Sequence, residues 1–569
     1  MINSQKEAEQ SLLDQVAVGR LDRRKFLSMI GGLAATSTLS PFMFEQAMAA
    51  GENQQQRQAS LQSHYDFIIV GAGAAGSVLA GELSKSGAQV LLIESGKTDD
   101  APTIANPSIW FYNIGGPLDY HLPIEPLPQL NNRKFNMALG HVLGGGSSIN
   151  ALVWARGMKR DYDGWAKNGA KGWSFDDVLP MYKAQEDWEG GANSYRGAGG
   201  PLHIRRPSDP HPTAPAFIEA ARQNGMPILD DVNGPMVPGA GYINMNISKD
   251  GTRVSAARAF LRPELSRSNL TLLLDSNVVK LNFKGTHCVG IKVISGGETK
   301  DIVADKEVLL TAGAINSPKL LMLSGVGEER ALRKLGIDVV KNLPGVGENL
   351  QDHVIVSGVV FKYKGKFPER PADSNAVEAE AYLSSGASGD TDINLVLEQL
   401  PAVTPEVPAR FVAPPADSFV IAPALVQPTS TGFVHLTSGN FSDAPLINGN
   451  YLGNDRDFNA IVKAVEAARE LGNQHAFDGV RERELIPGPK ATSDDIKDLV
   501  RVGAASFGHP VGTCKIGTDK LAVVDPKLRV HGISGLRVAD ASVMPKIITG
   551  PTNAPTHMIA GRAAKLILG

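Results

Sequence analysis

Between Tyr65 and Gly96 the apolar positions change character from one short run to the next. Phe67-Ile68-Ile69-Val70 is continuous, β-branched and too short for a helix, which predicts a strand buried on both faces. Gly71, Gly73 and Gly76 follow in GxGxxG spacing, and Val78, Leu79 and Leu83 then share one helical face. Val90-Leu91-Leu92-Ile93 is a second buried strand and ends on Glu94. Strand, glycine turn, helix, strand and acid in this order make a dinucleotide-binding unit. The glycines allow a sharp turn and close approach of a pyrophosphate, and the free N–H groups at the helix N-terminus favour its charge. Glu94 is placed to accept hydrogen bonds from a ribose.

Further along, Val278 to Leu281 reads as a strand. Glu307 to Gly313 is a buried strand running into a turn, and Asn316-Ser317-Pro318 starts a helix with Pro318 in its first turn. Residues 356–508 differ in pattern. Strand-like runs (Val356 to Tyr363, Asp392 to Leu400, Ser418 to Val426) alternate with Pro/Gly/Ser loops, and Arg456 to Leu471 is an amphipathic helix. That pattern predicts an antiparallel sheet with covering helices. Pro102 to Asn132 is a long irregular crossing, and Pro401 to Pro415 is a loop over the site mouth or a surface connection.

Composition adds exclusions. The 569 residues are 42% hydrophobic and 20% charged, with a net charge of −3. This leaves no electrostatic footprint for nucleic acid or an anionic membrane. After the leader no apolar run is long enough to span a bilayer. Cys288 and Cys514 are too few for a disulfide framework, and no Cys/His cluster suggests a metal. The first 49 residues read as an export signal. Arg23-Arg24-Lys25-Phe26-Leu27 precedes a mildly apolar run from Met29 to Phe44, and Ala47-Met48-Ala49 supplies a cleavage pattern. The paired arginines resemble a bacterial twin-arginine leader, which carries folded proteins and implies a periplasmic product. Residues 50–63 are then a polar, disordered linker.

The loop GHVLGGGSSIN (140–150) bares its backbone on one side and suits a flat ring or a phosphate. Together with the dinucleotide unit it resembles the first hallmark of the glucose–methanol–choline (GMC) family of FAD oxidoreductases. Gly313 to Gly327, the loop Gly345 to His353 and the block from Phe507 to Leu568 are similar to that family's other motifs, in the same order. The resemblance implies an α/β fold: a doubly wound, Rossmann-like FAD domain (64–168, 206–328 and 509–569) with an interleaved substrate domain (169–205 and 329–508) on an antiparallel sheet with helices. It implies FAD contacts from Gly71, Gly73, Ala74, Ala75, Gly76, Glu94, Val142, Gly144, Gly145, Ser147, Asn150, Ala151, Val153, Asp540, Ala541, Asn553, Pro555 and Thr556, and places Val278 against the adenine. The implied catalytic pair is His509 and Asn553.

The chemistry asks for these types. Oxidising an alcohol removes a hydroxyl proton and sends a hydride to the flavin. A histidine can accept the proton, and an amide can hold the oxygen without competing for it. His353 and His557 are neighbours of the pocket, and Cys514 is a packed residue. The sequence departs from the pattern in three places. His141 replaces Arg or Lys, Pro551 replaces Asn, and Ile149 stands where members with covalent flavin carry histidine, which predicts non-covalent FAD. The expected activity is oxidation of a primary aliphatic or benzylic alcohol to an aldehyde, with electrons passed to a quinone or cytochrome-type acceptor and oxygen as the alternative acceptor. A non-redox, hydroxynitrile-lyase-like reaction on the same scaffold is the alternative from another class, and a non-catalytic flavin carrier is a third.

Overall fold

In a computed structural model, which describes residues 11–21, 25, 41–235, 238–387 and 389–569, the run Phe67–Val70 sits inside a seven-stranded sheet. β1 (His64–Val70) is flanked in parallel by β2 (Val90–Ile93) and by the C-terminal half of β7 (Glu298–Leu310). β4 (Leu270–Leu273) adds to β2, and β15 (Leu536–Val538) pairs in parallel with Val308–Leu310 of β7. The N-terminal half of β7 instead folds back on β6 (His287–Ser295) and β5 (Ser276–Lys284) as an antiparallel meander. Continuous apolar runs fall in the parallel part because helices cover both its faces. The helix after the glycine turn is α2 (Ala74–Ser84), and it packs against the last helix, α7 (Asn553–Leu568).

The second sheet has eight strands, all paired antiparallel. β13 (Arg481–Ile486), β9 (Val360–Tyr363), β12 (Ser418–Leu425), β11 (Ile393–Glu398), β10 (Val377–Leu383) and β3 (Gly239–Tyr242) follow one another across it. β8 (Val354–Val356) bridges β12 and β14 (Ala504–Ser506). The amphipathic helix α6 (Asp455–Gly472) covers one face. The run Val356 to Tyr363 is therefore two strands, separated by residues 357–359, which belong to neither.

Two segments exchange their expected places. α3 (Phe175–Gln185), expected in the substrate domain, sinks Phe175, Val178 and Tyr182 into the core of the first sheet, beside Trp188, Leu202 and Ile204. α4 (Thr213–Gln223) and β3, expected in the FAD domain, belong to the second. Ala240 pairs with Ala381, and Phe217, Ala220 and Ala221 enter the second core. Their amphipathic pattern carries no information about which sheet they cover.

The linker expectation is also corrected. Residues 50–59 form the C-terminal half of helix α1 (Pro41–Ala59), and its amides are spent on β4 and the turn before it. The Gln54 side chain donates to Leu265 O at 2.8 Å and Leu270 O at 3.0 Å and accepts from Leu272 N at 2.8 Å. Asn53 and Gln58 add bonds to Leu265 O and Leu272 O. A Gln-rich stretch that looks merely polar thus caps the free edge of a sheet. Residues 11–17 are helical, with Leu13 and Val16 buried and Asp14 paired to Arg262. Arg23 and Arg24 lie outside the described residues, and Ala47-Met48-Ala49 falls within α1.

The helix after β7 is α5 (Gly313–Leu323), which begins three residues before Asn316, so Pro318 lies in its interior. The carbonyl that Pro318 cannot bond is Ala314 O, four residues back. The Thr513 hydroxyl donates to it at 2.5 Å. The Pro401–Pro415 segment is pinned rather than loose: Thr404 Oγ1 donates to Val502 O at 2.6 Å, and Arg133 grips Glu406 at 2.8 Å. No helix among the described residues is long and apolar enough to cross a membrane.

Candidate active site

The two glycine loops meet. Gly71 turns with φ +100°, and a β-carbon there would lie 2.7 Å from Thr311 O. Gly145 has φ +53°, and a β-carbon on it would stand 2.8 Å from the Gly73 α-carbon. Gly144 N donates to Ala72 O at 2.8 Å, which locks the loops together. Bare backbone from both therefore faces the N-terminus of α2 at Ala74, Ala75 and Gly76, the arrangement that admits a diphosphate.

Glu94 is buried at the end of β2. One carboxylate oxygen accepts from Ala72 N at 2.8 Å and the other from Gly96 N at 2.7 Å. Burial raises its pKa while these bonds oppose the rise. It holds the glycine turn and keeps lone pairs for a ribose. Val278 is half-buried on β5 against the first core. Ala151 and Val153 line a small apolar cluster with Phe507.

Several expected side-chain contacts are already used within the protein. Ser147 Oγ donates to Gly144 O at 2.6 Å and accepts from Ala256 N at 3.0 Å. Asp540 accepts four bonds, from Ser542 N and Oγ, Gly313 N and Ser317 Oγ, bracing α5. Its side chain holds the turn, which leaves the backbone of Asp540 and Ala541 for a cofactor. Thr556 Oγ1 donates back to Thr552 O at 2.7 Å. Pro555 needs no N–H in the first turn of α7. Val142 and Ile149 bury their side chains together, away from the loop's bare edge. His141 stacks on Tyr120, with ring centroids 4.1 Å apart.

Sequence reasoning missed Arg253. Its guanidinium is buried and bonds Ile104 O, Ser147 O and both oxygens of Asn150. Burial alone drives its pKa down to about 9, with no carboxylate to oppose it. No local pattern marked it. A buried cation behind the glycine loop, the open cradle and the unpartnered Asn553 Nδ2 together fit a dinucleotide.

His509 and His353 form the chemical centre. The loop 348–353 ties the two halves of the site together. Gln351 exchanges backbone bonds with Val511, its side chain accepts from Ile547 N at 3.1 Å, and Asp352 Oδ1 accepts from His509 N at 2.8 Å. Asp352 also accepts from Tyr451 and Ser506; burial lifts its pKa to about 6 against these bonds. His353 Nε2 lies 3.0 Å from Ile548 O, and a carbonyl only accepts, so Nε2 carries hydrogen. Burial pushes the His353 pKa down to about 3, so the ring is neutral and its Nδ1 is a bare acceptor. His509 Nδ1 stands 3.0 Å from that nitrogen and must donate to it. The His509 pKa is also well below 6.5, through burial and then repulsion from His353. A neutral ring protonated on Nδ1 has a bare Nε2, the lone pair that a proton acceptor needs.

Asn553, the first residue of α7, follows the segment 545–549 that the same loop holds. His557 is buried one turn on, with neither ring nitrogen partnered, and stacks on Trp154. Burial raises the Cys514 thiol pKa far above its usual value, consistent with a packed role.

Residues 65–355 and 428–560 match the two models described as GMC oxidoreductase. The chain is 38% identical over 543 residues to human mitochondrial choline dehydrogenase, covering 89% of this chain and 90% of that protein. It is 38% identical over 526 residues to the oxygen-dependent choline dehydrogenase of Sinorhizobium medicae, with 89% and 95% covered. Among solved structures, pyridoxine 4-oxidase from Mesorbium loti superposes with a TM-score of 0.83 at 34% identity, over 88% of this chain and 98% of that one. A formate oxidase variant of Aspergillus oryzae gives 0.80 at 26% identity, over 89% and 98%. The chain belongs to the GMC oxidoreductase family and is an FAD-dependent oxidoreductase of CH–OH donors.

Proposed function

We propose that the protein oxidises a primary alcohol, aliphatic or benzylic, to the aldehyde. The observation that carries this is the bare Nε2 of His509, fixed by the hydrogen-bond chain through His353 to Ile548 O. The substrate hydroxyl proton passes to that nitrogen. Asn553 Nδ2 holds the oxygen as its charge grows. Loss of the O–H proton and of a hydride from the carbinol carbon leaves the C=O bond. FAD, when bound, supplies the acceptor for that hydride. Gly71, Gly73, Gly76, Gly144 and Gly145 would admit it, Glu94 and Val278 would hold its nucleoside end, and binding would be non-covalent, since Ile149 offers no nucleophile. The test is anaerobic reduction of the bound flavin. His509→Ala should slow it roughly 10²- to 10⁴-fold, the usual worth of a positioned base. Wild-type rates in that variant would sink the assignment. Turnover of a cyanohydrin without flavin bleaching would favour the lyase alternative.

Electrons then leave for a quinone or cytochrome-type acceptor. A second reading, oxygen as acceptor, is favoured by two relatives, an oxygen-dependent choline dehydrogenase and a pyridoxine 4-oxidase. Stoichiometric peroxide release would establish the second, and dye or quinone reduction without peroxide the first. The leader reading places this chemistry in the periplasm after twin-arginine export. Cleavage after Ala49 would leave residues 50–59 to cap β4, and the mass of the secreted protein would show the cut.

A further inference from the structure

The face of the second sheet that turns toward His509 carries two carboxyl groups that no cation among the described residues neutralises. Register places Glu380 of β10 opposite Val396 of β11, and Tyr382 opposite Asn394. Side chains alternate along a strand, so these four and Glu398 share one face. Val396 fixes which face it is. It packs in the same small cluster as Val153 of the FAD loop and Phe507, two residues before His509. The other face, with Leu395 and Leu397, belongs to the second core. At the far end of the same face, the Tyr382 hydroxyl is 3.2 Å from the place of a β-carbon on Gly550, three residues before Asn553.

Glu380 is 2% exposed. Its Oε2 accepts only from Asn394 Nδ2 at 3.2 Å, and its Oε1 has no partner. The Tyr382 hydroxyl, also buried, lies beside Glu380 without closing a bond of ordinary length. Burial lifts the pKa of Glu380 to about 7, partly relieved by Tyr382 and Asn394, and burial alone lifts Glu398 to about 7. Buried carboxyls of this kind are ordinarily paired or filled from outside.

We propose that this wall is the subsite for a positively charged nitrogen that still bears N–H, so that the substrate is an alcohol with an ammonium-type group remote from its hydroxyl. Glu380 Oε1 accepts the N–H, and Glu398, two residues beyond Val396 on the same face, adds negative charge to the wall. The unfilled acceptor asks for a donor, which a quaternary nitrogen lacks. The inference rests on the alcohol-oxidation reading and narrows its substrate.

The experiment uses FAD-loaded protein under anaerobiosis and three short primary alcohols of matched length, ending in ammonium, trimethylammonium or methyl. The rate of flavin bleaching per unit concentration should be roughly ten- to a hundred-fold higher for the ammonium alcohol than for the methyl-ended one, the scale of one charge-assisted hydrogen bond. Glu380→Gln, with FAD content verified, should bring that ratio close to one, and Glu398→Gln should lower it in part. Equal or greater rates for the methyl-ended alcohol overturn the inference, as does a preference for trimethylammonium. An unchanged ratio in a flavin-loaded Glu380→Gln protein overturns it too. If no alcohol bleaches the flavin, the oxidation reading falls and takes this one with it; bleaching without charge preference sinks the subsite alone.

Discussion

The protonation pattern of His509 is decided one hydrogen bond away, at His353. Replacing His353 by Phe removes the acceptor that holds the proton on His509 Nδ1. It also removes the charge that His353 takes up on protonation at about pH 3, whose repulsion adds to burial in depressing the His509 pKa. Two effects on anaerobic flavin reduction should follow. The rate should fall roughly 10- to 10³-fold as the wrong tautomer becomes populated, within the range seen when a catalytic histidine loses its orienting partner. The acid limb of the pH profile, which in the native protein lies well below 6.5, should move up toward that value. A merely structural role would lower the rate without moving the limb. Buried neutral histidines also set the acid stability. His353 and His557 resist protonation down to about 3 when folded, against 6.5 for a free imidazole. Between those values the unfolded chain binds more protons than the folded one, so stability rises with pH across that window and is lost as pH falls through it. His557→Leu should remove one proton from that dependence, at most ~1.4 kcal/mol per pH unit. Denaturant melts at a series of pH values would show the flatter slope, and an unchanged slope would place the acid sensitivity elsewhere.

Among the elements, α5 and α1 depend on side chains far from them in sequence. The Ala314 carbonyl that Pro318 leaves open is closed by Thr513. Thr513→Val keeps the shape and removes the hydroxyl, so it should cost roughly 1–3 kcal/mol in denaturant unfolding of the flavin-loaded protein. Gln54 serves three backbone groups at the edge of the first sheet. Gln54→Leu should destabilise by on the order of 3 kcal/mol and speed hydrogen exchange at Leu272 N–H. What was legible in the sequence divides along the same line. Phe67–Glu94 and Gly144–Asn150 were readable because their chemistry is local: a strand, a turn and a helix within one stretch. The cap on β4 was not, because nothing in Gln-Gln-Gln-Arg-Gln distinguishes a solvated linker from a helix bonding a distant strand. The exchange of 169–205 and 206–242 between the two sheets has the same origin. Likewise Asp540 and Ser147 could be placed at the site, but not seen to be spent on their own neighbours.

Across the whole molecule, the site is completed from remote parts of the chain, and Arg253 is the point where that assembly carries unbalanced charge. It braces the glycine loop at Ser147 and Asn150 and reaches back to Ile104 O. Among the described residues its hydrogen bonds go to carbonyl and amide oxygens, so its desolvation is compensated by hydrogen bonds and by no opposite charge. The diphosphate of FAD would bring that charge to the same loop. The apoprotein should then be held below its potential stability by this residue, and the cofactor should stabilise it by mass action. Arg253→Met tests the idea without any assay of turnover. Melting temperature is measured for apoprotein and for protein titrated with FAD. The variant apoprotein should melt no lower than the native one, while the FAD-dependent rise should shrink and the retained flavin per chain should drop. If both forms melt lower by equal amounts, Arg253 is only a brace for the loop. If the rise is undiminished, the diphosphate owes nothing to its charge.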